Sequence, residues 1–137
     1  MKRILSPSFL RYQLPLCLYI GGIFALSSIP SDSVPSIDIS FPTDKVIHFV
    51  EYGIFGFLLF RAIFSAGKIS AKWSAVLVIL CAAGLGAVDE AYQILTGRDS
   101  SVYDWLFDCM GAVASLCCLF LYAKIQEHRG VKKVWNF

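Results

Sequence analysis

Four long apolar stretches are the feature that most constrains the fold of this 137-residue chain. The hydrocarbon core of a bilayer is about 30 Å thick, and roughly 20 apolar residues in a helix are needed to cross it. Each stretch approaches that length and is bounded by Pro, Gly or charged residues that end a helix. The sequence therefore predicts four membrane-spanning helices at about residues 12–29, 45–64, 73–95 and 102–123.

The composition supports this interpretation and argues against other classes of protein. Hydrophobic residues make up 57% of the chain and charged residues 16%, whereas a soluble domain has about 45–50% and about 25%. A small soluble domain has too little core to bury this excess of apolar side chains. The same numbers argue against disorder, and a net charge of +2 gives no basis for nucleic acid binding. We expect an all-α, integral membrane four-helix bundle that forms a single domain over residues 1–137.

The cysteines and the aromatic residues at the helix boundaries are interpreted as structural. The five cysteines lie inside apolar runs rather than at the spaced positions of a disulfide framework or a zinc site, so we expect them to be small core residues. They are Cys17, Cys81, Cys109, Cys117 and Cys118. We expect anchors at the membrane interfaces from Trp73, Tyr103, Trp105 and Tyr122.

The first apolar stretch has two interpretations. Lys2, Arg3 and Arg11 precede a short apolar core, and Ala25-Leu26-Ser27 resembles the small-residue motif at which a signal peptide is cleaved. A permanent first helix and a cleaved signal peptide both remain open on this evidence. Either outcome leaves the directions of the other three helices unchanged.

Basic and acidic residues fall on opposite sides of the predicted spans. Of the twelve Lys and Arg, ten lie in the amino-terminal segment, around the loop after the second span and in the tail. Lys45 and Arg98 lie at the opposite ends of the helices, together with nine of the ten acids. These acids are Asp32, Asp38, Asp44, Glu51, Asp89, Glu90, Asp99, Asp104 and Asp108. The positive-inside rule predicts that both termini are cytoplasmic and that the acidic ends face outward.

Each of the last three helices carries a polar stripe near its predicted outer end. The stripes are Asp44, His48, Glu51 and Phe55 on the second helix, Gly86, Glu90 and Gln93 with Asp89 beside them on the third, and Asp104, Asp108, Gly111 and Ser115 on the fourth. An ionised side chain that faces lipid near the bilayer centre costs at least roughly 2.5–3.5 kcal/mol. We therefore expect the stripes to face one shared cleft. Small residues that permit close helix contact are Gly53, Gly56, Ala82, Gly86, Gly111 and Ser115.

Acids outnumber bases in the predicted cleft, where Arg98 is the main fixed cation and His48 is titratable. Crowded carboxylates cannot all stay ionised, so at least one should hold or share a proton unless a cation binds there. The carboxylates concerned are Glu51, Asp89, Glu90, Asp104 and Asp108. An alternative is a purely structural network in which Arg98 pairs with Asp104 or Glu90.

The ordered set of polar residues resembles the signature of the VanZ-like membrane proteins, over about Ser27 to Ser115. The matching residues are Asp44-Lys45-x-x-His48-x-x-x-Tyr52, Asp89-Glu90-x-x-Gln93, Arg98, Asp104 and Gly111, preceded by Ser27-Ser28-x-Pro30. The resemblance implies a small, multi-pass protein of the bacterial cytoplasmic membrane. It also implies a family whose namesake is associated with resistance to teicoplanin, a lipid-tailed glycopeptide. The chain departs from the pattern at Asp108, where the family has Asn, and at Ser115, where Gly is frequent.

The first functional hypothesis is a non-enzymatic protein whose outward-facing cleft binds an amphiphile, either a lipid-linked envelope precursor or a lipoglycopeptide antibiotic. Arg98 would bind a phosphate or carboxylate, and His48, Tyr52 and Gln93 would supply hydrogen bonds. The predicted cleft comprises Asp44, Lys45, His48, Glu51, Tyr52, Asp89, Glu90, Gln93, Arg98, Asp104 and Asp108. Membrane lipids or such a ligand are the expected partners, no cofactor is expected, and the oligomeric state stays open.

Two alternatives come from other functional classes. A metal-dependent membrane enzyme acting on a lipid or phosphate head group would use a divalent ion, with ligands among His48, Glu51, Glu90, Asp104 and Asp108. The sequence shows no second histidine in the spans and no activated nucleophile, which favours the non-enzymatic hypothesis. Cation or proton permeation is the other alternative, although the polar stripes stop halfway across the predicted membrane.

Overall fold

The computed structural model describes residues 6–29 and 43–131, and this part of the chain is helical and contains no strand. One π-helical turn, Phe9–Gln13, leads into α1 (Leu14–Ser27); α2 (Thr43–Ser65), α3 (Ala71–Leu95) and α4 (Val102–His128) follow. The all-α prediction is confirmed, and the main difference is that α4 continues beyond residue 123 to His128. The positions of Lys2, Arg3, Pro30, Asp32 and Asp38 lie outside the described residues.

All four helices are long and apolar enough to cross a membrane. Their outward surfaces carry large apolar side chains, including Leu18, Leu80 and Leu121, which are 68%, 62% and 60% exposed in the isolated chain. Such surfaces would be a liability in water and are the normal state of a helix in lipid. The chain is thus a small multi-pass membrane protein.

Local sequence explains where the helices begin and end. Ser70 caps α3, because its hydroxyl oxygen accepts a hydrogen bond from the Trp73 amide, and Ser101 caps α4 in the same way through the Tyr103 amide. Gly97 follows α3 with a φ of +78°, a left-handed conformation that glycine adopts without steric cost. Gly97 follows the end of α3 and Ser101 begins α4, so the connection between the two helices is short. Arg98 lies in this connection.

Helices α2 and α4 run parallel and touch along most of their length, with α3 antiparallel to both. A Cβ atom at Gly53 would lie 3.5 Å from the Gly111 carbonyl oxygen, and one at Gly111 would overlap the Phe49 carbonyl oxygen. On the third helix, a Cβ atom at Gly86 would come within 2.9 Å of an Asp108 carboxylate oxygen. Glycine at position 111 permits the close backbone contact between α2 and α4, and glycine at position 86 leaves room for the Asp108 side chain, as predicted for close helix packing.

The bundle has two unlike halves along its length. The apolar half is a cluster of Phe60, Val78, Leu116 and Leu119. The polar half lies at the other end, where α1 and α3 finish and α2 and α4 begin. Its buried polar residues are Ser27, His48, Asp89, Glu90, Gln93, Asp104 and Asp108. A middle layer of Ile23, Tyr52, Phe55, Ala82 and Ala112 separates the halves.

The structure corrects two expectations about structural residues. All five cysteines are free, and only Cys109 is even partly buried, so the prediction that they are core residues is wrong. They lie on outward faces because the inward faces are occupied by the polar stripes and the apolar clusters. Trp105 also differs from its predicted role as a membrane anchor, since its indole Nε1 donates a 2.8 Å hydrogen bond to the Ala83 carbonyl oxygen of α3.

Candidate functional site

The inward faces of α2, α3 and α4 bring charged side chains together in the polar half. His48 of α2, Glu90 of α3 and Asp108 of α4 are only 4%, 7% and 0% exposed. Each helix contributes residues three or four positions apart, which places them on one face. Glu51, by contrast, is only partly buried, and Asp44 is exposed.

Asp104 is paired with Lys45. The Lys45 Nζ lies 2.6 Å from Asp104 Oδ1 and 3.8 Å from Asp44 Oδ2. The expected alternative of an Arg98–Asp104 pair is wrong, because Lys45 of the parallel neighbour α2 already occupies this carboxylate. Arg98 instead donates from Nη1 to the Leu26 carbonyl oxygen at 3.1 Å, which joins the α3–α4 connection to the end of α1.

His48 lies between two carboxylates. Its Nδ1 is 2.9 Å from Asp108 Oδ1, and its Nε2 is 4.0 Å from Asp44 Oδ1. The second oxygen of Asp108, Oδ2, is buried and has no hydrogen-bond partner among the described residues. Among the described residues, the Asp108 side chain is therefore bonded only to His48, although it is wholly inaccessible to solvent.

Glu90 joins α3 to the start of α4. Its Oε2 accepts hydrogen bonds from the Ser100 hydroxyl and the Ser101 amide, both at 2.8 Å. The alternative pairing of Glu90 with Arg98 is thus not found, because a hydroxyl and a backbone amide take its place. The other carboxylate oxygen, Oε1, is buried and without a partner in the described part of the chain.

Asp89 ties α1 to α3. Its carboxylate accepts from the Ser27 hydroxyl at 2.6 Å and from Gln93 Nε2 at 3.2 Å. Thr96 strengthens this junction by donating its hydroxyl to the Ser27 carbonyl oxygen at 2.9 Å. Sequence reasoning did not include Ser27 among the site residues, although it begins the Ser-Ser-x-Pro motif. Because Ser27 is bonded into the bundle, α1 is an integral part of the polar half.

Two adjoining spaces open beside this network. The polar pocket, about 230 Å³, is lined by Leu26, Ser27, Ile29, Asp44, Ile47, His48, Glu51, Gln93 and Arg98. The apolar groove between α1 and α2, about 340 Å³, is lined by Tyr19, Leu26, Thr43, Val46, Ile47, Val50, Glu51 and Ile54. Both spaces share Leu26, Ile47 and Glu51, so a polar and an apolar surface adjoin at these residues.

Glu51 lies at the boundary of the two spaces. Its backbone carbonyl accepts a 3.0 Å hydrogen bond from the Tyr19 hydroxyl, which fixes α1 against α2 there. Its carboxylate makes no hydrogen bond or ion pair with any residue that the structure describes. This carboxyl group is therefore available to a molecule in the polar pocket.

The comparison with protein families gives one match. The model of the VanZ/LLP1 family matches residues 6–123, a segment that includes the four predicted spans and the candidate site. The chain belongs to the VanZ/LLP1 family. The resemblance seen in the sequence is thereby confirmed. A search of curated proteins and a search of solved structures found no match.

The predicted cleft of this VanZ/LLP1 protein divides into two parts in the structure. Asp44, His48, Glu51, Gln93 and Arg98 line the polar pocket. The remaining members, Lys45, Tyr52, Asp89, Glu90, Asp104 and Asp108, do not line it. Most of these make the hydrogen bonds and the ion pair that connect the helices.

The predicted metal ligands fall into two groups in the structure. Potential ligand atoms of His48, Glu90 and Asp108 all lie within 4.8 Å of one another, and those of Asp44, His48 and Asp104 do the same. Glu51 belongs to neither group. The VanZ/LLP1 chain thus has two carboxylate–histidine clusters that share His48 but differ in burial and in their other partners.

Proposed function

We propose that this VanZ/LLP1 protein binds an anionic amphiphile of the cell envelope, with the acyl or prenyl chain in the apolar groove and the head group in the polar pocket. The observation that carries the proposal is that the two spaces share Leu26, Ile47 and Glu51. A ligand with a long chain joined to a polar head needs these two surfaces side by side. Ligand sites are typically apolar with a few well-placed polar groups.

Arg98 is the expected partner of the anionic group. A guanidinium carries five N–H donors and binds phosphate or carboxylate in a bidentate manner. The hydrogen bond to the Leu26 carbonyl oxygen uses one nitrogen, Nη1, which leaves further donors for a ligand. Lys45 is less suited to this role, since its ammonium is only 2.6 Å from Asp104.

The acidic residues of the pocket favour a head group that also carries hydrogen-bond donors. Asp44 and Glu51 both line the pocket with Arg98. Sugar hydroxyls or an amine would donate hydrogen bonds to these carboxylates, so a head group with such donors should bind more tightly than a phosphate alone. A lipid-linked glycan precursor and a lipid-tailed glycopeptide antibiotic share this chemistry: a long chain, an anionic group and several donors.

The groove offers the chain a route from the bilayer. Val46, Val50 and Ile54 line the groove and are 43%, 51% and 44% exposed in the isolated chain. They lie on a lipid-facing side of α2, so the acyl or prenyl chain of the ligand could enter the groove laterally from the bilayer without crossing water. This is a binding function rather than a catalytic one, and resistance to a lipid-tailed antibiotic would be one consequence of it.

The proposal also requires an orientation. We place both termini in the cytoplasm of a bacterial cell and the polar half toward the outer leaflet, on the basis of the charge asymmetry. In a variant without its five free cysteines, a cysteine placed at Ser100 should react with an impermeant reagent added outside intact cells. Cysteines at Lys68 and Gly130 should not react. The opposite pattern would overturn the orientation.

Binding is tested with purified protein in nanodiscs, using native mass spectrometry and thermal unfolding. The probes are undecaprenyl phosphate, the uncharged alcohol undecaprenol, and teicoplanin. Arg98→Gln should weaken binding of the phosphate and leave the alcohol unaffected, whereas Val50→Trp should fill the groove and weaken both. Arg129→Gln, beyond α4 at the other end of the bundle, is the matched control.

The outcomes are distinct. Binding of teicoplanin alone would assign the site to the antibiotic, and binding of the lipid phosphate alone would assign it to a precursor. If the charged and uncharged lipids bind equally, or if Arg98→Gln behaves like Arg129→Gln, the head-group site is wrong. If no probe binds, the amphiphile proposal fails.

A further inference from the structure

We propose that His48, Glu90 and Asp108 form a divalent metal site that connects α2, α3 and α4 inside the polar half. Their potential ligand atoms lie within 4.8 Å of one another, and all three residues are classed as buried. Each ligand comes from a different helix, so one ion would join three elements of the bundle. The site shares His48 with the polar pocket, whereas Glu90 and Asp108 do not line that pocket.

Unpartnered atoms at this cluster point to a missing ligand. Asp108 Oδ2 and Glu90 Oε1 are buried and have no hydrogen-bond partner in the described part of the protein, and the same is true of the Tyr52 hydroxyl. Tyr52 follows His48 by one helical turn and is fully buried. Buried polar atoms are nearly always satisfied by protein or water. The two carboxylates that cluster with His48 therefore each keep a buried oxygen without a partner among the described residues.

The buried carboxylates also favour binding of a cation at this cluster. Asp104 is neutralised by Lys45, and both oxygens of Asp89 accept hydrogen bonds from side chains. Among the described residues Glu90 and Asp108 have no ion pair with a Lys or Arg, and a protonated His48 would neutralise Asp108 alone. Two ionised carboxylates in a membrane interior need compensation. One divalent ion with a neutral imidazole would balance them.

The donor set indicates the type of ion. Imidazole is a frequent ligand of Zn²⁺ and other transition metals, while carboxylates also suit Mn²⁺; Mg²⁺ and Ca²⁺ prefer sites made of oxygen alone. His48 Nδ1 and Asp108 Oδ1 are already 2.9 Å apart, so these two side chains would need little movement to bind one ion. Asp44 lies on the far side of the ring, 4.0 Å from Nε2, where carboxylates orient metal-bound histidines.

The second cluster, Asp44, His48 and Asp104, is less suitable. Asp44 is exposed, and the Asp104 carboxylate already binds the Lys45 ammonium. A metal there would have to displace a cation that the chain itself supplies. The carboxylates to change in the experiment are therefore Glu90 and Asp108.

The experiment uses the purified full chain in detergent. Protein prepared without chelator is analysed for bound metal, and chelated protein is titrated with Zn²⁺, Mn²⁺ and Mg²⁺ while thermal unfolding is measured, because a specific ligand stabilises the folded state. We expect about one Zn²⁺ or Mn²⁺ per chain and a higher Tm with these ions than with Mg²⁺. Glu90→Gln and Asp108→Asn should each weaken binding at least about tenfold, whereas the control Glu127→Gln, in the last turn of α4 at the other end of the bundle, should leave it unchanged.

A measurement on the unchanged protein covers the case in which variants do not fold. X-ray absorption of the Zn²⁺ form, or the visible spectrum of the Co²⁺ form, should show one nitrogen ligand among oxygen ligands. The proposal is overturned if no ion binds in stoichiometric amount, if the bound ion has no nitrogen ligand, or if Asp44→Asn removes the ion and Glu90→Gln does not.

Discussion

The polar and apolar halves of the bundle are built from the same helices and solve the problem of burial in different ways. In the apolar half, Phe60 packs against the rings of Phe64 and Phe120, with centroids 5.7 and 5.9 Å apart. In the polar half, each buried group needs its own partner, and Glu90 and Asp108 each keep an oxygen without one. Packing of apolar side chains stabilises the first half, whereas the second half depends on hydrogen bonds and ion pairs between helices. The two halves should therefore respond differently to substitution.

Removing a ring from the apolar half should have the largest effect. Phe60 is fully buried, and Phe60→Ala should lower the free energy of unfolding by about 3 kcal/mol, the lower end of the range for large-to-small core substitutions. The lower end applies because lipid solvates apolar groups, so mainly packing is lost. Phe57→Ala, at a more exposed site on the same helix, is the control for unfolding in a denaturing detergent. Equal losses would show that the apolar half is not a packed core.

A change at the contact between α2 and α4 should weaken both halves together. Gly111→Ala would force the new methyl group into the Phe49 carbonyl oxygen, and we expect a loss of about 2–3 kcal/mol from overpacking. Gly84→Ala on α3, where a Cβ atom has nothing within 4 Å, should be close to neutral. If the two variants unfold alike, the close helix contact does not stabilise the bundle.

The ion pair of the polar half can be measured with a double-mutant cycle. Lys45→Ala and Asp104→Ala should each cost about 1–3 kcal/mol, less than a fully buried pair because Lys45 is 26% exposed. Their coupling energy should lie between about 0.5 and 3 kcal/mol. A parallel cycle of Arg98→Ala with Asp104→Ala should be additive within about 0.5 kcal/mol. Coupling in the second cycle but not the first would reverse the assignment of the pair.

The smallest expected effect distinguishes a paired from an unpaired carboxylate. With chelator present, Asp108→Asn should leave stability unchanged or raise it slightly, because it removes a buried charge whose Oδ2 has no described partner. Asp104→Asn should be destabilising, since it leaves the Lys45 ammonium without its anion. Thermal unfolding of the two variants side by side checks this contrast. A large loss for Asp108→Asn would mean that the contact with His48 stabilises Asp108 more than burial disfavours it.

The helices and their inward faces could be predicted from the sequence because both depend on local patterns. Apolar length gives the spans, and the spacing of His48, Glu90 and Asp108 gives the face on which each lies. The glycines at the helix contacts were found for the same reason. The sequence pattern also identified the family, since the ordered motifs are read directly from the chain.

The tertiary structure decided which groups meet. Asp104 pairs with Lys45 rather than Arg98, Glu90 binds a serine hydroxyl and a backbone amide, and the cysteines face outward. None of these follows from periodicity, because periodicity defines a face of one helix but not its neighbour, its rotation or its depth against that neighbour. The parallel contact of α2 with α4 sets these quantities. It brings Lys45 to Asp104 and His48 to Asp108. Residues of α1 complete the lining of the polar pocket and of the apolar groove.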